Sequence, residues 1–170
     1  KSGGSTFTPN GGTVKFDGVA AQAVDPAGAS FASLEISAPS QTVTASSGVT
    51  VTGTLTITSG TLALGANALA CAMNFVNSGS FSTSGTTTFN GTTTVSGASA
   101  TTFANLAIAG SSTLTGHATS LTVTGNWANS GTYNANNGTV VFAGATGEGS
   151  ASTLSGTTTF KNLTCATAGK

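Results

Sequence analysis

Apolar and hydroxyl side chains alternate along Val49-Thr-Val51-Thr-Gly-Thr-Leu55-Thr-Ile57-Thr and again along Leu121-Thr-Val123-Thr-Gly-Asn-Trp127. A period of two sends successive side chains to opposite faces of an extended chain, so both stretches predict half-buried β-strands. Helix is disfavoured throughout: no stretch of a dozen residues keeps i, i+3, i+4, i+7 spacing, and Gly or Thr interrupts each candidate. No apolar run approaches the roughly 18 to 20 residues that a helix needs to span a bilayer.

The apolar positions also recur as phrases. Asn74-Phe75-Val-Asn77-Ser-Gly79-Ser-Phe81 returns as Asn126-Trp127-Ala-Asn129-Ser-Gly131-Thr-Tyr133 at one constant offset. A second phrase, Gly12-Thr-Val-Lys-Phe16, is matched by Gly85-Thr-Thr-Thr-Phe89 and Gly138-Thr-Val-Val-Phe142. A closing phrase, Phe31-Ala-Ser-Leu34-Glu-Ile36, is matched by Phe103-Ala-Asn-Leu106-Ala-Ile108 and Phe160-Lys-Asn-Leu163-Thr-Cys165. Repeats of this kind bury a core only by covering one another. The expected fold is therefore all-β, a right-handed parallel β-helix (β-solenoid) of degenerate repeats, forming a single domain over residues 1–170. Its repeat phrases span approximately 2–39, 74–110 and 126–168, with inserted rungs at approximately 41–72. Aromatic residues at strand ends, followed by Gly, Asn or Asp, predict corner turns that stack Phe on Phe and Asn on Asn.

These phrases resemble the long Thr-, Gly- and Asn-rich β-solenoid repeats of secreted bacterial surface proteins, adhesin-like or fibre-forming. The resemblance implies a structural or adhesive role on the outside of a cell and brings no catalytic residues with it. The chain opens on Lys1 rather than Met, which reads as a mature or excised product. Ser2-Gly-Gly-Ser-Thr-Phe7 reads as the tail of a phrase whose first strand is missing.

Charge narrows the function classes. Four Lys, no Arg, two Asp and two Glu sum to zero and make up 5% of the chain, far below the roughly 25% charged content of an average soluble domain. Nucleic-acid binding and polybasic membrane attachment both need clustered cations, so neither is expected, nor is membrane insertion or a cofactor. Cys71 and Cys165 both occupy apolar slots of the alignment and read as buried thiols or as a disulfide. His117, alone in a turn-like stretch, reads as a solvated histidine. Asp17, Asp25, Glu35 and Glu148 are the only carboxylates for an acid pair, with Asp17 and Glu35 about one coil apart; no catalytic assignment follows from them. Asn90-Gly-Thr, Asn137-Gly-Thr and Asn162-Leu-Thr match the glycosylation pattern.

The expected function is structural: a subunit of a secreted extracellular filament that assembles head-to-tail with copies of itself through β-edge contacts, or a segment of a cell-surface stalk. Expected subunit contacts are Phe7, Phe160, Leu163 and Cys165. The alternative is an adhesin or an ice- or glycan-binding module, with a host or surface glycan as partner. That reading rests on an exposed face that is Thr-rich, from Thr-x-Thr units such as Thr92-Thr-Thr94, Thr113-Leu-Thr115 and Thr122-Val-Thr124, or aromatic, from Trp127 and Tyr133 as a sugar-stacking platform. Its plainer explanation is that Thr suits the outward face of a strand.

Overall fold

The computed structural model describes residues 10–144 and 152–166. Within them the chain is all strand and turn, without helix, and coils into a parallel β-solenoid of about seven turns. Leu55 lies beside Phe75 and Phe75 beside Val95, so a turn uses about twenty residues. Each turn visits three faces in the same order.

The first face stacks β1 (Thr13–Phe16), the start of β4 (Ser33–Ala45), the start of β6 (Leu55–Gly65), β8 (Phe75–Asn77), β11 (Thr92–Ser96), β14 (Thr113–Thr115) and β17 (Thr132–Asn134). The second face begins with β2 (Gln22–Val24), the ends of β4 and β6, and β9 (Ser80–Thr83). It continues with β12 (Thr101–Phe103), β15 (Ser120–Val123), β18 (Thr139–Phe142) and β20 (Asn162–Cys165). The third face holds β3 (Ser30–Phe31), β5 (Val49–Val51), β7 (Leu69–Cys71), β10 (Thr86–Phe89), β13 (Asn105–Ile108), β16 (Trp127–Asn129) and β19 (Leu154–Gly156). Only β4 and β6 run round a corner, with Ser40 and Gly60 in positive-φ conformations where they bend.

Parallel register explains the core. Val14, Leu34, Leu55, Phe75 and Val95 succeed one another on the first face. Phe31, Val51, Cys71, Phe89 and Ile108 do so on the third. Alternation sends these columns inward, and from Leu34 to Ile108 they are almost wholly buried. Covering each such side chain contributes about 1.5 to 3 kcal/mol. The rungs are therefore stable only as a stack.

The rings form two clusters. In one, Phe75 meets Phe81 and Phe103 at 5.1 and 5.5 Å, and Phe89 meets Phe103 at 5.6 Å. In the other, Trp127 meets Tyr133, Phe142 and Phe160 at 4.9, 6.2 and 5.3 Å. The members correspond phrase by phrase, yet the copies lie on different faces. The Gly-Thr phrase sits on the first face at Phe16, on the third at Phe89 and on the second at Phe142. One copy of the later phrase thus spans about two and two-thirds turns, not a whole number. The block at 41–72 holds the end of β4, β5, β6 and β7, and it makes the interval from Phe16 to Phe89 about one full turn longer than that from Phe89 to Phe142, so it leaves this rotation unchanged.

Corners are held by side-chain amides. Asn105 Oδ1 accepts from Asn126 N at 2.9 Å, one step of asparagine on asparagine, and Asn126 Oδ1 accepts from Thr153 N at 2.9 Å, where the next turn carries threonine instead. Inside, Asn77 Nδ2 donates to Thr101 Oγ1 at 3.1 Å, while Asn129 Nδ2 donates to Thr157 O at 2.8 Å. These two asparagines are buried and tie one turn to the next.

Candidate functional surfaces

The two cysteines are both free and stand apart in character. Cys71 is buried in the third face between Val51 and Phe89, where burial pushes its thiol up to about 12. A thiolate there would face apolar neighbours, so this sulfur is inert. Cys165 departs from the expectation of a buried slot. It does continue the inward column Phe103, Val123, Phe142, but β20 is the outermost described strand of the second face and its four residues are exposed.

The described carboxylates, Asp17, Asp25 and Glu35, all lie in the first two turns. Among the described residues no group of three or more His, Cys, Asp and Glu side chains is placed to hold a metal ion. His117 is a bonded corner residue rather than a solvated one. Its Nδ1 accepts from Thr119 N at 3.2 Å, which leaves Nε2–H to donate to Gly97 O at 3.0 Å. Register sets Glu35 opposite Lys15, at 3.5 Å between Nζ and Oε1, with Asp17 two places further on rather than beside it. Asp25 Oδ1 accepts from Ala27 N at 3.0 Å and from Ser47 Oγ at 2.7 Å, fixing a turn. Glu148 lies outside the described residues.

The hydroxyl side chains do line up. On the first face Thr92 and Thr94 stand beside Thr113 and Thr115, which stand beside Thr132 and Asn134. Rung spacing in a parallel sheet is about 4.8 Å and same-face spacing along a strand about 6.6 Å, so this patch is a two-by-three grid. Trp127 is wholly buried, and Tyr133 packs against it, so this pair is core rather than a sugar-stacking platform. Asn90, Asn137 and Asn162 are all exposed at corners or strand starts.

Of the expected subunit contacts, Phe7 lies outside the described residues. Phe160 is half-buried in the second ring cluster. Leu163 is 47% exposed, although it follows Leu121 and Val140 in an inward column. Leu154 on β19 is similarly exposed at the same end. At the opposite end a cleft of about 180 Å³ opens among Val14, Phe16, Val24 and Phe31. Both ends of the described stack thus present core side chains.

The distribution of charge was not recognised from the sequence pattern, though the signal was there. No Asp, Glu, Lys or Arg occurs between Glu35 and Glu148. The middle turns therefore carry no Asp, Glu, Lys or Arg on any of the three faces. Side-chain charges sum to −1 over residues 1–35 and to +1 over residues 148–170.

Compared with protein-family models, curated proteins and solved structures, the chain matches none.

Proposed function

We propose that the chain is a structural protein, a subunit of a secreted extracellular filament in which copies join head-to-tail through β-edges. A segment of a cell-surface stalk is the close variant of the same idea. The observation that carries this reading is β20: its side chains are exposed although Leu163 and Cys165 lie in register with core columns of the preceding turns. An outermost parallel strand of this kind offers backbone donors and acceptors to another strand. Head-to-tail contacts that do not close produce fibres rather than rings. The uncharged middle turns favour close lateral packing, because no desolvation of ions opposes it. The extracellular setting is supported by the resemblance of the repeat phrases to secreted bacterial surface proteins. Negative-stain images of the concentrated protein test it: filaments are expected, and dispersed monomers alone leave only the stalk.

A second reading is favoured by the Thr92–Asn134 grid. A flat, uncharged array of hydroxyl and methyl groups suits adhesion to a regular surface, either ice or a glycan. Thermal hysteresis and a glycan array test it, with Thr94→Lys and Thr115→Lys expected to abolish any signal.

A further inference from the structure

We propose that the two ends of the solenoid form a matched junction between copies, in which β20 of one copy stacks on β2 of the next, Leu163 and Cys165 cover Gln22 and Val24 at the cleft, and Lys161 faces Asp17. The inference rests on the filament reading and adds its partner, register and charge pairing.

Face and corner fix the register. β20 and β2 are the outermost described strands of the same face, at opposite ends. Continuing the stack by one turn brings the inward positions of β20, Leu163 and Cys165, over the inward positions of β2, the half-buried Gln22 and Val24, which is 5% exposed. The cleft among Val14, Phe16 and Val24 lies at this end of the core. Apart from Asp25 its lining is apolar, which suits the half-exposed Leu163 and the exposed Cys165. Lys161 lies where the chain passes from the first face to the second, immediately before β20. Asp17 lies at the same corner one copy on, immediately after β1, and both residues are exposed. In-line stacking therefore sets corner over corner and opposite charge over opposite charge.

The charge pattern gives the contact a direction. Among the described residues the first two turns hold Lys15, Asp17, Asp25 and Glu35, and the last turn holds Lys161. Head-to-tail approach joins unlike ends, whereas head-to-head approach joins two acidic ends. Charges at the rim of an interface act mainly on orientation and association rate, and salt weakens them.

Sedimentation velocity and negative-stain microscopy of the purified chain, at low and high salt, test the junction. Wild type is expected to assemble, and to need more protein at high salt. Leu163→Asp is expected to remain a folded monomer, because the residue is half-exposed and its loss uncovers nothing else. Lys161→Glu and Asp17→Lys are each expected to raise the protein concentration needed for assembly about tenfold, and the double variant to recover it. If wild type assembles and these variants assemble equally well, the junction is wrong and the filament reading stands. If single charge variants fail and the double variant does not recover, the Lys161–Asp17 pairing is overturned. If wild type stays monomeric at every concentration, the filament reading falls and the junction with it.

Discussion

Trp127 Nε1 donates to Thr158 Oγ1 at 3.1 Å, across more than a full turn of the solenoid. The same hydroxyl accepts from Asn129 Nδ2 at 3.0 Å. One threonine outside any strand therefore satisfies the polar edge of a buried indole and an inward asparagine together. Thr158→Val keeps the shape and leaves both donors short of this acceptor, which is expected to cost about 2 kcal/mol. Thr158→Ser is expected to stay within about 0.5 kcal/mol of wild type. Urea unfolding followed by Trp127 fluorescence measures both, and equal midpoints for Val and wild type would show that the hydroxyl is dispensable.

Thr87 presents the opposite case. It stands in the inward column between Leu69 and Leu106, is wholly buried, and its Oγ1 has no hydrogen-bond partner. Thr87→Val removes an unsatisfied hydroxyl and keeps the β-branched shape, so a gain of about 1 kcal/mol is expected. A destabilised Val variant would mean that the hydroxyl is bonded in solution.

The thiols should separate by reactivity. A disulfide-exchange reagent is expected to label Cys165 at once and Cys71 only after unfolding, since one is exposed and the other buried. Alkaline stability follows from the same burial. The thiol of Cys71 is raised from 9.0 to about 12 and the phenol of Tyr133 from 10.0 to about 12. In both cases the unfolded chain loses its proton first. The stabilisation is therefore complete below about pH 9 and is lost as pH rises toward 12, by up to about 4 kcal/mol for the thiol. Cys71→Ala is expected to be less stable at pH 7, with a shallower decline above pH 9. Urea midpoints at pH 7, 9 and 10.5 decide this, and a variant as pH-sensitive as wild type would clear the thiol of blame.

Gly97 has φ of 119°, and a Cβ there would meet Asn77 O at only 2.0 Å. Its carbonyl also receives His117 Nε2–H. Gly97→Ala combines backbone strain with a clash against backbone, so a loss of more than about 2 kcal/mol is expected. A thermal midpoint within a degree or two of wild type would refute it.

Much of this was legible because aromatic residues are rare here and each described one occupies a structural slot. The phrases that pair Phe75 with Trp127 and Phe89 with Phe142 identify the members of both ring clusters without coordinates. The faces were not legible. Inward positions also carry Asn77, Thr87, Thr93 and Asn129 among the Leu and Val, so a twenty-residue turn leaves no clean hydrophobic period, while the longer phrase does. The phrase alignment sets Cys165 in the slot of Ile36 and Ile108, and its column is indeed inward, yet a column buries a side chain only when a further turn covers it. The threonine grid was half legible: alternation showed which threonines point outward, but only register shows that Thr94 stands beside Thr115.

A repeating phrase that ends two-thirds of the way round works like a screw thread whose pitch and pattern are out of step. The copies beginning at Gly12, Gly85 and Gly138 each point in a different direction. Three of them carry a feature once round the axis, and a fourth would return it to its starting side. An array lengthened by duplicating this phrase would thus have neither front nor back, and whatever one copy offers to its surroundings would be offered on every side.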